Sequence, residues 1–283
     1  ITDQTPNVSI SVDNNYATGG VVLNKVITGA AASYAQGPFV FSTVCTLGGY
    51  TLPTVTSTLT PTSLTSTLTG LPVGAVCVVT ETNNGGASTP TVPVVVGTVT
   101  VPAQGAPAVS VTATNDFPTG SLSVTKTLSG SGSAVMAGAT YTMQVTCERD
   151  LIGGGTEVIV NSTVPVVAGQ TVTLPDILPI GARCWLAETN SSGAGTVTIS
   201  NPQNNPIVIT DECPAGTITV DNNYEAGGNG NGSIVLTKVI SGAAASYAQG
   251  PFGFQTACAL GGFNLPVINT TLTPTSLTAT YQG

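Results

Sequence analysis

Lysine occurs only three times in 283 residues, at Lys25, Lys126 and Lys238, each time inside a short apolar stretch: "VVLNKVI", "SLSVTKTL" and "SIVLTKVI". Strict alternation puts Leu23, Lys25 and Ile27 on one face of a strand, and that face reads as the core face. The same period aligns Ala75, Cys77, Val79 and Glu81 in "GAVCVVTE", and Ala182, Cys184, Leu186 and Glu188 in "GARCWLAE". It aligns Val109, Val111, Ala113 and Asn115 in "AVSVTATN", and Ile218, Val220 and Asn222 in "TITVDN". Near the start it aligns Val8, Ile10, Val12 and Asn14. A lysine, a glutamate and an asparagine thus turn inward from three strands, and each is costly to bury unless they meet.

Their meeting makes one reaction available. Burial pushes a lysine toward its neutral, nucleophilic form and a carboxylic acid toward its protonated form. The amine can attack the asparagine side-chain carbonyl while the acid hydrogen-bonds that carbonyl and shuttles protons. Ammonia leaves and a Lys–Asn isopeptide bond remains. Contact between the groups supplies the effective concentration that an unactivated amide requires. The alternative is a buried Lys–Glu ion pair beside a hydrogen-bonded asparagine, with no covalent bond.

The elements that must position these residues are strands. Only 6% of residues are charged, the net charge is -8, and 34 Gly and 19 Pro punctuate short apolar alternations. This favours antiparallel β structure. With no basic patch, nucleic acid is not expected as a partner. With no histidine, the usual general base and the commonest zinc ligand are missing, so neither an enzyme, a metal site nor a cofactor is expected. No apolar run approaches the roughly 20 residues of a membrane span.

Internal repetition sets the organisation. Residues 21–70 recur as 234–283 with 34 identities in 50 positions, and "ITDQTP…SVDNNY" recurs as "ITDECP…TVDNNY" at 209–224. The unit is itself two related domains: "LPVGAVCVVTETNNGGA" matches "LPIGARCWLAETNSSGA". Residues 19–117 and 118–226 are expected to be complete domains of about seven strands each. Residues 1–18 read as the last strand of a preceding domain, and 227–283 as the first half of a following one, as if cut from a longer repeat. The linker "DFPTG" is expected to be stiff and "EAGGNGNG" flexible. The fold class is all-β, tandem immunoglobulin-like sandwiches.

A lysine in the first strand, "ETN" two-thirds along and an asparagine in the last strand resemble the CnaB-type domains of Gram-positive surface adhesins and pilins. The layout also resembles the immunoglobulin-like, often cysteine-paired repeats of actinobacterial surface proteins. The resemblance implies Lys25–Asn115 and Lys126–Asn222 bonds, with Glu81 and Glu188 as assisting acids. Asn14 and Lys238 would be unpaired halves belonging to further domains. "NN" at 14–15 and 222–223 leaves the reactive asparagine open; Asn14 and Asn222 are preferred because Tyr16 and Tyr224 then align with Phe117. No sortase motif or pilin-type lysine motif is apparent, so the resemblance does not extend to covalent polymerisation.

Six cysteines without a CxxC pair point to disulfides and an oxidising compartment. Cys45 shares a face with Phe39 and Phe41, and Cys147 with Tyr141 and Met143. Both point toward the strands of Cys77 and Cys184, so Cys45–Cys77 and Cys147–Cys184 disulfides are expected. Cys258 matches Cys45, and Cys213 has no counterpart. The expected function is an extracellular or cell-surface structural repeat protein, a stalk, fibre or filament, self-associating or arrayed in tandem. An adhesin module binding a host or surface ligand is the alternative.

Overall fold

A computed structural model describes residues 9–175, 177–225, 233–260 and 263–282. The chain divides into two compact units, Ile1–Pro118 and Thr119–Gly283. Nearly all regular structure is strand. Among the described residues, helix is limited to 3-10 turns at Ala32–Tyr34, Ser133–Met136 and Ala245–Tyr247. Among the described residues, no helix is long and apolar enough to cross a membrane.

The first unit has strands β1 (Thr18–Thr28), β2 (Phe39–Leu47), β3 (Tyr50–Thr51), β4 (Val55–Leu59), β5 (Thr65–Pro72), β6 (Val76–Asn84), β7 (Val94–Thr100) and β8 (Val109–Asp116). One sheet runs β5-β1-β8 and the other β3-β2-β6-β7, with β4 also on β2. Their inner faces carry Val21, Leu23, Phe39, Phe41, Leu59, Val79, Val111 and Ala113, all buried. Each such side chain contributes about 1.5–3 kcal/mol on leaving water. This is a β-sandwich with inward apolar and outward polar residues along each strand.

The second unit repeats the plan. Its strands are β9 (Thr119–Ser129), β10 (Thr140–Asp150), β11 (Thr156–Val167), β12 (Thr171–Thr173), β13 (Leu178–Pro179), β14 (Arg183–Asn190), β15 (Thr196–Ile199), β16 (Ile207–Val208) and β17 (Ala215–Asn223). The sheets are β12-β9-β17-β15, with β13 on β9, and β11-β10-β14-β16. Beyond them, β18 (Ser233–Thr237) pairs with β23 (Thr278–Gln282), β19 (Phe252–Thr256) with β22 (Ile268–Leu272), and β20 (Ala259–Leu260) with β21 (Phe263–Asn264).

One pairing governs the lysines. The first and last strands of each complete sandwich lie side by side and parallel, β1 with β8 and β9 with β17. The antiparallel neighbour β5 reaches only as far as Asn24, and just before β5 the Leu64 carbonyl accepts from the Lys25 backbone N–H at 2.8 Å, so residues 26–28 are held in the ladder by β8 alone. Likewise β12 reaches Thr125, Lys126 is backbone-bonded to Gly169 and Gln170, and residues 127–129 are laddered by β17 alone. In the partial copy β18 stops at Thr237, one residue before Lys238. Beyond Lys25 and Lys126 the strand ends at a glycine, Gly29 or Gly130. Gly29 has φ 94°, and a Cβ there would lie 2.2 Å from the Phe117 carbonyl oxygen, so only glycine fits the turn.

Residues 9–17, expected to contain a last strand, are described without strand pairing, and Ile10 (86% exposed) and Val12 (81%) face solvent. Residues 1–8 of that segment, and 226–232 of the glycine-rich linker, lie outside the described residues.

Candidate functional site

Strand parity delivers three side chains to one point in the first sandwich. Lys25 enters from β1, Asn115 from β8 and, across the core, Glu81 from β6. Lys25 is 4% exposed, and Glu81 and Asn115 are fully buried. Lys25 Nζ lies 3.2 Å from Glu81 Oε1, and Asn115 Nδ2 donates to the same oxygen at 3.0 Å. In the second sandwich Lys126, from β9, and Asn222, from β17, are fully buried. The Glu188 side chain, from β14, is 1% exposed. Lys126 Nζ lies 3.7 Å from Glu188 Oε1, to which Asn222 Nδ2 donates at 3.2 Å. Of the adjacent pair 222–223, Asn222 is the inward residue, while the Asn223 Oδ1 accepts from the Glu225 backbone N–H.

The parallel register places the partners one pleat apart. Lys25 stands opposite Ala113, and Asn115 opposite Ile27; Lys126 stands opposite Val220, and Asn222 opposite Leu128. Each lysine therefore leans along its strand toward the asparagine and donates on the way to a backbone carbonyl of the last strand. These contacts are Lys25 Nζ to Ala113 O at 3.4 Å and Lys126 Nζ to Val220 O at 3.2 Å.

An aromatic ring forms the floor under each amine. Lys25 Nζ sits 5.1 Å from the Phe39 ring centroid, and Lys126 Nζ 4.6 Å from that of Tyr141. The alternation reading places Phe39 and Tyr141 in the core but misses this role. A signal was present: an aromatic residue lies six positions before the first cysteine of each copy, at Phe39, Tyr141 and Phe252. Lys238 Nζ, in the partial copy, lies 5.2 Å from Phe252 in the same pose. In the second sandwich Tyr141 and Tyr224 share a hydroxyl hydrogen bond of 2.9 Å. Burial, then that bond, pushes the Tyr141 pKa far above its ordinary value.

Electrostatics follow from burial. Desolvation lowers the pKa of Lys25 and of Lys126, with the facing carboxylates opposing it. Desolvation raises that of Glu188, against the pull of Lys126 and of the Asn222 hydrogen bond. In both sandwiches the second carboxyl oxygen and the asparagine Oδ1 are buried without a hydrogen-bond partner among the described residues. Such orphaned acceptors are expensive. The glutamate does not engage the asparagine carbonyl, as the residue chemistry alone suggests, but the amide nitrogen. The reason is a second acceptor: Nδ2 also donates to the Asn84 carbonyl at 2.9 Å, or to that of Ser191 at 3.1 Å, which fixes the amide the other way round.

The arrangement of these side chains suits amide exchange. One glutamate oxygen touches both the attacking and the leaving nitrogen. It can take a proton from Nζ as the amine adds to Cγ and deliver it to Nδ2 as the Cγ–Nδ2 bond breaks.

The disulfides Cys45–Cys77 and Cys147–Cys184 join residues directly opposite one another in the β2/β6 and β10/β14 ladders. Cys213 is exposed and Cys258 half-buried, both as free thiols. Asn14 is exposed.

Among solved structures, the chain is similar to the Bacillus anthracis TIE protein, at 13% identity over 94% of this chain and 43% of that one, with a TM-score of 0.43. It thus spans less than half the length of that protein. It is similar to the major pilin protein T3.2 from Streptococcus pyogenes, at 16% identity over 74% and 98%, with a TM-score of 0.39. It is also similar to a bacterial adhesin from Mobiluncus mulieris containing intramolecular disulfide, isopeptide and ester bond cross-links, at 13% identity over 74% and 100%, with a TM-score of 0.32. No curated protein matches the chain. A family described as a domain of unknown function (DUF5979) matches residues 21–118 and 122–225, and the chain belongs to that family.

Proposed function

We propose that this chain is an extracellular structural repeat protein, a segment of a stalk or fibre, whose complete domains (19–117 and 118–226) each close one Lys–Asn isopeptide bond. Lys25 joins Asn115 and Lys126 joins Asn222, with Glu81 and Glu188 as the proton relays. The observation that carries this reading is the meeting, twice, of amine, carboxyl and carboxamide around a single carboxyl oxygen in a buried core. The step balances: Nζ–Cγ forms, Cγ–Nδ2 breaks, one proton moves from Nζ to Nδ2, and ammonia leaves. The product removes a buried amine whose burial is opposed to its charge.

Parallel first and last strands suit a load-bearing role. Tension applied at the two ends of a domain shears β1 against β8. A Lys25–Asn115 bond carries that load across the pair and keeps the intervening strands off the load path.

Intact mass of the folded chain, under reducing and non-reducing conditions, tests the proposal. The expected value falls short of the sequence mass by two ammonia molecules after reduction, and by four further hydrogens without it because of the two disulfides; Lys126→Ala forfeits one ammonia. A folded sample of unmodified mass rules the reading out.

Asn222→Ala leaves Lys126 as a free buried amine. A lysine whose folded pKa is depressed contributes stability present above its unfolded pKa and lost as pH falls through the folded value. The variant is therefore expected to gain on the linked domain as pH rises from the lowered folded pKa of Lys126 toward 10.5. Urea denaturation of both forms at about pH 7 and about pH 10 checks this. A stability gap that widens with pH contradicts it.

A further inference from the structure

The shared word "ETN" contains more than the glutamate. Directly after Glu81 the β2/β6 register slips: Phe41 faces Glu81, but Val40 faces Asn83, leaving Thr82 as an extra residue. The second sandwich slips at the same place, with Met143 facing Glu188, Thr142 facing Asn190 and Thr189 left over. Bulges of this kind re-aim the side chains beside them. Both are closed by the extra threonine, whose Oγ1 donates across the ladder: Thr82 to Val40 O at 3.2 Å, and Thr189 to Thr142 O at 3.2 Å.

The asparagine of the word then turns the chain. Asn83 Oδ1 accepts from Gly85 N at 2.9 Å, and Asn190 Oδ1 from Ser192 N at 3.1 Å. These are Asx turns, and they enclose different residues, Asn84-Gly85 in one sandwich and Ser191-Ser192 in the other. The turn geometry is nevertheless shared: Gly85 has φ 67° and Ser192 φ 51°, the latter being the one described non-glycine residue in the left-handed region. A serine held there indicates that its surroundings impose the turn. The turn aims the carbonyl of Asn84, or of Ser191, at the Nδ2 of the target asparagine.

We propose that Thr82 with Asn83, and Thr189 with Asn190, are positioning residues for the cross-linking reaction. They hold a backbone carbonyl against the leaving nitrogen. Nδ2 has two N–H bonds; one goes to the glutamate and the other to this carbonyl. Together they fix the amide plane, so that Cγ presents its face to Nζ and the departing nitrogen stays on the proton relay. With the carbonyl displaced, the amide can rotate about its Cβ–Cγ bond and bring Oδ1 to the glutamate instead. This inference rests on the isopeptide reading above.

The test uses the full chain, with one sandwich as the clock for the other. Chain purified soon after synthesis is incubated, and ammonia loss is timed by mass on proteolytic fragments from each domain. Protease resistance reports that both domains are folded. Asn83→Ala and Thr82→Val are each expected to slow ammonia loss in the first domain about tenfold, the loss of one well-aligned hydrogen bond in the transition state. The second domain keeps its rate. Asn83→Asp and Thr82→Ser, which retain the acceptor and the hydroxyl, restore the first domain. Asn190→Ala supplies the mirror experiment, with the first domain as reference. Folded variants that react at the unsubstituted rate overturn this inference alone, as does failure of both conservative variants to rescue. No ammonia loss in either domain of the unsubstituted chain overturns the underlying reading and this inference with it.

Discussion

Replacing Glu81 with glutamine is expected to leave the first sandwich folded but unlinked, while the second links normally. Glutamine keeps the volume and one carbonyl oxygen near Lys25 Nζ, but it cannot accept the amine's proton and return it to Nδ2. The mass of the variant should then show one lost ammonia instead of two. The thermal consequence is large. A cross-link closing a loop of nearly a hundred residues contributes about 4–5 kcal/mol in the chain-entropy model, which corresponds to roughly 15–30 °C in Tm for a domain of this size. Differential scanning calorimetry of the variant should separate the two domains, with the unlinked one melting first. Loss of two ammonias from the Glu81→Gln chain would show that the carboxyl group is not the relay.

Removing the Cys147–Cys184 bridge, as the double variant Cys147→Ala and Cys184→Ala, carries the second-largest expected effect. The bridge spans 37 residues, for which the same model gives about 3–4 kcal/mol. It is also a register pin. Cys184 lies four residues before Glu188 on β14, and a slip of one residue on that strand would turn Glu188 away from the core. The variant is expected to melt roughly 12–25 °C lower in an Asn222→Ala background, where no isopeptide bond shares the constraint. In the linked background the fall should be smaller, because the disulfide loop is nested inside the larger one. Equal falls in the two backgrounds would argue against a covalent loop between Lys126 and Asn222.

Much of this was legible from parity. Lys25, Glu81 and Asn115 belong to strands whose other inward residues are apolar, and period two does not need to know which strands are neighbours. The cysteine partners were legible for the same reason. The structure corrected what parity cannot express. A bulge adds a residue that no alternation pattern announces, so the work of Thr82 and Thr189 lay hidden in a word that read only as a glutamate marker. The orientation of the Asn115 amide was decided by a backbone carbonyl, and backbone carbonyls carry no sequence label. Phe39 and Tyr141 were visible as core residues, but a ring beneath an amine depends on how two sheets stack. Residues 9–17 carry the alternation of a strand and are described without a ladder partner.

The ladder over Lys25–Thr28 has a consequence for how such a chain is made. Ribosomes deliver a protein from its N-terminus, and so does any machinery that threads it unfolded across a membrane. The amine of each domain emerges first and its carboxamide last. The half-strand beyond the lysine, residues 26–28 or 127–129, has no ladder partner until β8, or β17, has also emerged. A Lys–Asn bond of the kind proposed would therefore close only when the whole domain is out, and a domain stalled in transit would stay unlocked and could still be threaded.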